Sequence, residues 1–149
     1  MSNILITGAS GGLAQEMVKL LPNDQLILLG RDKEKLVQLY GNHPQAELIE
    51  IDITDVQSLE ELVAELYQRY GKIDVLINNA GYGFFEDFDK ISDQDIHQMF
   101  EVNTFSLMNL SRLIASGMKE TRKGHIINIV SMAGLIATGK SSLYSATKF

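Results

Sequence analysis

The run Ile4-Leu5-Ile6-Thr7-Gly8-Ala9-Ser10-Gly11-Gly12-Leu13-Ala14 decides how this chain folds. Three apolar residues are too few for a helix, and the glycines after them mark a tight turn. Beyond the turn, Leu13, Met17, Leu20 and Leu21 recur at helical spacing. A strand therefore runs through a glycine-rich turn into a helix.

Reading outward, the unit repeats. Apolar runs at Gln25–Leu29, Leu48–Ile51, Ile73–Asn78 and His125–Val130 are short and nearly continuous, the pattern of strands buried on both faces. Between them lie helical spacings at Leu36/Leu39/Tyr40, at Val56/Leu59/Leu62/Val63/Leu66, and along one stretch from about Asp93 to Lys119. Ser92 with Asp95 resembles a capping box, and Gly71 and Gly124 punctuate two helix ends. Alternation of strand and helix predicts an α/β fold, a doubly wound parallel sheet with right-handed crossovers. In such a sheet ligands sit beyond the carboxyl ends of the strands, so the residues after each apolar run carry the function.

Composition narrows the classes. The 149 residues carry 13 Lys+Arg against 19 Asp+Glu, a net charge of −6, which argues against a nucleic-acid partner. No stretch of eighteen apolar residues is present, so no membrane span is expected. With no cysteine, a soluble cytoplasmic protein in a reducing compartment is expected. His43, His97 and His125 are scattered, and no metal site is expected. Length and composition fit one domain, residues 1–149.

The first turn, with Gly8, Ser10, Gly11, Gly12 and Leu13 leading into a helix, suits a dinucleotide pyrophosphate: glycines let phosphate approach the backbone, and the helix start presents free N–H groups. Its Thr7, Gly8 and Gly12 resemble the turn of the short-chain dehydrogenase/reductase family, with Ala14 where the family has its last glycine. A methyl there is the smallest intrusion at a helix–strand contact, so binding should survive it. The resemblance implies a Rossmann-type sheet in the order 3-2-1-4-5, with the family's last two strands lying outside this sequence.

After the second strand, Gly30 stands where an acidic side chain would grip the ribose of NAD, and Arg31 offers a planar cation for a 2′-phosphate. NADP is therefore the expected cofactor. Asp32, which either reaches a ribose hydroxyl or starts the next helix, keeps NAD possible. By resemblance Asp52 meets the adenine amino group with Ile53 beside it, although Asp52 is equally a turn former. Asn78-Asn79-Ala80-Gly81 matches the family's Asn-Asn-Ala-Gly element, whose small residues make room for adenosine while its Asn side chains pin the backbone.

Near the end, Ser131 follows the fifth strand, and Tyr144 and Lys148 stand four apart, on one face of a helix. A neighbouring ammonium favours phenolate, which makes Tyr144 a usable acid or base. The resemblance assigns Ser131 to the substrate oxygen and Tyr144 to proton transfer. It assigns Lys148 to the nicotinamide ribose and to tuning Tyr144, and Asn103 to a proton-relay water, although a buried helix Asn needs partners in any case. Tyr82, Phe84, Phe85 and Phe88 are equally substrate-entrance residues and loop packing. The acidic Glu86-Asp87-Phe88-Asp89 stretch reads as solvated surface.

Two functions are expected from these residues. One is an NADP-dependent oxidoreductase acting on a small-molecule carbonyl or secondary alcohol; the alternative is a nucleotide-binding protein without turnover, such as a redox sensor or an inactive fragment. The resemblance also implies a homo-oligomer pairing through the helix at Asp93–Lys119 and the helix that begins near Ser142. Family members continue past Lys148, so this chain is expected to be part of a longer reductase. Taken alone it would leave Ile126–Val130 as an exposed apolar edge and the Tyr144 helix short and uncapped.

Overall fold

A computed structural model describes residues 1–136 and 138–149. Five parallel strands, β1 (Asn3–Ile6), β2 (Gln25–Gly30), β3 (Ala46–Glu50), β4 (Val75–Asn78) and β5 (His125–Asn128), form one sheet in the order β3-β2-β1-β4-β5. The expected doubly wound α/β sheet is therefore present. Its helices are α1 (Gly12–Lys19), α2 (Lys33–Tyr40), α3 (Val56–Tyr70), α4 (Asp93–Phe100), α5 (Ser106–Thr121) and α6 (Ser142–Lys148). Leu5 sits in register with both Ile27 and Leu76, so β1 is central, and the chain steps to opposite sides of it on going to β2 and to β4.

Alternation along each strand divides the core between two faces. Leu5, Ile27, Leu29 and Leu76 pack with Leu59 and Leu66 of α3 and Leu110 and Ile114 of α5. Ile4, Ile6, Leu26, Leu28 and Ile77 pack with Ala14 and Val18 of α1 and Leu36 and Tyr40 of α2. The three middle strands are buried beyond their first residues, as their composition requires. The reading of all five as buried is corrected at the edges: β3 is only half-buried, and β5 exposes His125, Ile127 and Asn128. An outer strand has one neighbour, so an apolar run alone does not bury it.

The stretch read as one helix from Asp93 is interrupted. Between α4 and α5 the residues Glu101–Phe105 form a π-helical turn, and α5 continues to Thr121. A π turn holds an extra residue, a change that apolar spacing does not register. The capping box forms as expected, with Ser92 and Asp95 each bonding the other's backbone. Gly71 ends α3 at φ 72°, but α5 ends at Arg122, itself left-handed at φ 52°, so Gly124 is not that helix's cap. Helix α6 runs from Ser142 to Lys148, and its flanking Ser141 makes no side-chain cap.

Candidate active site

The switch point lies between β1 and β4, and short polar bonds lock it. Buried Thr7 places its Oγ1 to accept from the backbone N–H of Asn79 at 3.0 Å and of Ala80 at 2.9 Å. The Asn79 Nδ2 donates to the carbonyls of Thr7 and Gly8, both at 3.1 Å. Gly8 adopts φ 63°, and a Cβ there would stand 2.7 Å from the Ala80 Cα. Only glycine fits both demands. Asn78 donates its Nδ2 to Ser111 Oγ and to Asn128 Oδ1, each at 2.9 Å, tying β4 to α5 and β5. The Asn79 side chain thus pins backbone, whereas that of Asn78 bonds two other side chains.

A cleft of about 490 Å³ opens above these bonds. It is lined by Gly8, Ser10, Gly11, Gly12 and Leu13 at one wall, by Arg31, Asp32 and Lys35 beyond β2, by Asp52 and Ile53 beyond β3, and by Asn79, Ala80 and Gly81 beyond β4. Every residue named from the sequence as cofactor-binding, apart from Tyr144 and Lys148, therefore borders one cavity. The start of α1 differs from those of α2, α3 and α4. Asp32, Asp55 and Ser92 cap α2, α3 and α4 with their own oxygens, whereas α1 begins at Gly11 with no side-chain cap and no acid in its first turn. Its first N–H groups are left for an anion in the cleft, and this fits the phosphates of a dinucleotide.

The alternatives left open by residue type now divide. Asp32 caps α2, accepting from the Lys35 N–H at 2.9 Å. Asp52 Oδ1 accepts from Thr54 N–H and Thr54 Oγ1 at 2.9 and 2.8 Å, so it forms the turn and still borders the cleft. Arg31 is exposed on the rim and joins none of the ion pairs among the described residues.

On the side of α6, Asn103, Tyr144 and Lys148 come together around Gly81 and Gly83. A Cβ on Gly81 would lie 3.0 Å from Lys148 Nζ and 3.2 Å from Asn103 Oδ1, and one on Gly83 would lie 2.6 Å from the Tyr144 ring. Half-buried Lys148 donates from Nζ to the Ile129 carbonyl at 3.3 Å, and burial holds its ammonium pKa below the ordinary lysine value. Phe85 meets the Tyr144 ring edge-on, centroids 5.9 Å apart. Ser131 lies beyond β5, its Oγ accepting from Ala133 N–H at 3.1 Å at the start of a short turn, Met132–Gly134. Gly134 of that turn packs against the Lys148 backbone.

Asn103 does more than its assignment from the sequence implied. It is 2% exposed; its Oδ1 accepts from Tyr82 N–H at 2.9 Å, and its Nδ2 donates to the Tyr82 carbonyl at 2.7 Å and to Thr147 Oγ1 at 2.9 Å. The sequence reading also missed Lys35, Val102 and the cleft position of Tyr82, which it grouped with the neighbouring phenylalanines. Burial and the charge of Asp95 raise the Tyr82 phenol pKa, against an opposing effect of Arg31.

A family model described as short chain dehydrogenase matches residues 2–149, and the chain belongs to that family. It is 30% identical over 146 residues to the 3-ketodihydrosphingosine reductase of Bacteroides thetaiotaomicron, covering 98% of this chain and 53% of that protein. Among solved structures, a short-chain dehydrogenase from Streptomyces avermitilis superposes with a TM-score of 0.93 at 33% identity, over 99% of this chain and 55% of that one. ElxO with NADP bound gives 0.90 at 27% identity, over 99% and 62%. A 7 alpha-hydroxysteroid dehydrogenase complexed with NADH gives 0.91 at 27% identity, over 99% and 60%. The chain spans about half the length of the curated relatives it matches. The chain thus has the fold and the family of short-chain dehydrogenases, and nicotinamide cofactors are bound in two of these structural neighbours.

Proposed function

We propose that residues 1–149 form the single Rossmann-type dinucleotide-binding domain of an NADP-dependent oxidoreductase, one that interconverts a small-molecule carbonyl and a secondary alcohol. The observation that carries this reading is the gathering of Tyr144, Lys148 and Asn103 around Gly81–Gly83, where β4 delivers the chain into the cleft whose rim bears Arg31. Arg31, exposed and outside any ion pair among the described residues, supports a 2′-phosphate over a bare ribose.

When bound, the nicotinamide supplies or takes up the hydride at the substrate carbon. In this reading the uncapped start of α1, Gly11 to Leu13, holds the pyrophosphate, and Asp52 and Ile53 flank the adenine. Ser131 Oγ accepts from Ala133 N–H and its hydroxyl proton meets no acceptor among the described residues, so it donates to the substrate oxygen. Tyr144 passes the proton to or from that oxygen. Lys148, on the same face of α6, holds the ribose and favours the phenolate of Tyr144. Exposed Phe105 and Met108 support pairing of two copies along the π turn and α5.

The test is absorbance at the nicotinamide band, recorded with the full polypeptide, NADPH and a panel of aldehydes and ketones. Oxidation of NADPH that disappears in Tyr144→Phe, with cofactor affinity kept, is the expected result. Equal turnover in that variant removes Tyr144 from its role, and saturable NADPH binding without any turnover identifies a nucleotide-binding protein instead.

A further inference from the structure

Beyond the residues assigned above, one buried hydroxyl joins the cofactor cleft to the helix that bears Tyr144 and Lys148. Thr147 is 6% exposed and lies between those two residues in α6. Its Oγ1 accepts from Asn103 Nδ2 at 2.9 Å and donates to the Tyr144 carbonyl at 2.8 Å, so both capacities of the hydroxyl are used. Its own carbonyl accepts from Thr104 Oγ1 at 3.1 Å. Asn103 and Thr104 belong to the π-helical turn Glu101–Phe105, so α6 is tied to that turn at two consecutive residues.

The orientation of Asn103 leaves no ambiguity about which atom faces Thr147. Its Oδ1 must face the Tyr82 N–H, and a flipped amide would set two donors against each other there. Both Nδ2 protons are then assigned, one to the Tyr82 carbonyl and one to Thr147. Tyr82 borders the cleft. A continuous path thus runs from the cleft wall through one amide and one hydroxyl to the backbone of Tyr144.

On these grounds we propose that Thr147 is a positioning residue: its hydroxyl sets where α6 presents Tyr144 and Lys148 relative to the cleft. The inference rests on the proposed oxidoreductase reading for its effect on rate, but the link itself is a property of the folded chain. Helix α6 has no side-chain cap at its start, so buried Leu143 and these bonds fix where its first turns lie. A small displacement of reacting groups lowers rate far more than it lowers binding.

The test compares Thr147→Val, which keeps the volume and loses the hydroxyl, with Thr147→Ser, which keeps the hydroxyl. In the full polypeptide at saturating NADPH, Thr147→Val is expected to lower kcat by roughly tenfold to a hundredfold while the NADPH dissociation constant stays within about twofold. Thr147→Ser is expected to restore most of the rate. Amide NMR of the nitrogen-labelled chain reads the link without cofactor or turnover. The Asn103 side-chain amide, assigned with Asn103→Asp, should exchange slowly in the unaltered chain and in Thr147→Ser, and should shift and lose protection in Thr147→Val. Should Thr147→Val fail to fold, Thr147→Cys, similar in size and a poor hydrogen-bonding group, is read the same way. Unchanged kcat in a folded Thr147→Val, a serine variant no better than valine, or an Asn103 amide indifferent to the substitution overturns the inference. A chain that turns nothing over but shows the amide response loses the oxidoreductase reading and keeps the link.

Discussion

The two halves of the cleft are held by different forces. On the β1–β2 side, Leu5, Ile6, Leu26, Ile27, Leu28 and Leu29 have no exposed surface, and the turn above them is fastened by Thr7 and Asn79. On the β5–α6 side, Ile127 is 45% and Val130 69% exposed. There α6 is fastened by hydrogen bonds from Asn103, Thr104 and Lys148. Apolar burial is large and undirected, whereas a few polar bonds are weak in sum but fix direction. Within these residues the β1–β2 side rests mainly on apolar burial, and α6 is oriented by a few directed bonds. Substitutions should damage stability on one side and rate on the other.

The largest expected contrast is in stability. Leu76→Ala empties a site with no exposed surface and should cost about 2–5 kcal/mol, whereas Ile127→Ala on the open edge should cost less than about 1 kcal/mol. Urea unfolding measures both, and equal losses would break the comparison. Next comes Arg31→Ala. Losing a charged contact to a 2′-phosphate removes about 1.5–3 kcal/mol, which is roughly tenfold to a hundredfold in NADPH affinity. NADH should be nearly unaffected, and fluorescence titration of both cofactors checks this.

Two glycines sharpen the comparison further. Gly8→Ala forces a side chain to φ 63° against the Ala80 backbone, costing about 1–2 kcal/mol from the left-handed conformation alone; it should lower melting temperature and NADPH affinity together. Gly83→Ala brings a methyl to 2.6 Å from the Tyr144 ring, and displacing that ring should slow kcat by about tenfold with cofactor affinity kept. Steady-state kinetics beside binding isotherms separate the two outcomes.

The smallest effect is a pH dependence. Burial lowers the Lys148 pKa, so between its folded value and the ordinary lysine value the unfolded chain binds more protons, and stability rises with pH across that window. Lys148→Met removes the penalty. The variant's stability advantage at neutral pH should shrink as pH approaches about 10, and melting curves over that range test the sign.

The sequence reached much of this through residues whose chemistry is local. Gly8 announced its tight turn and Gly71 its helix end, Ser92 and Asp95 their capping box, and the apolar runs their strands. The residues lining the cofactor cleft were legible because a parallel sheet places every strand's carboxyl end at one edge. What escaped was set by tertiary position. The open edge at β5 was foreseen, but the half-burial of β3 depends on its having only β2 beside it, which its apolar run does not record. Asn103 in the π turn finds its partners in Tyr82 and Thr147, respectively 21 and 44 residues away, which no local spacing records. Tyr82 was grouped with its phenylalanine neighbours because sequence adjacency does not show which side of a loop faces the cleft.

The central claim is that the cleft above β1 and β4 takes a nicotinamide dinucleotide, NADP in preference to NAD. Calorimetric titration of the full polypeptide with NADPH and then NADH tests it most directly. One saturable site per chain with NADPH the tighter ligand is the predicted result; no heat of binding with either cofactor would contradict the claim.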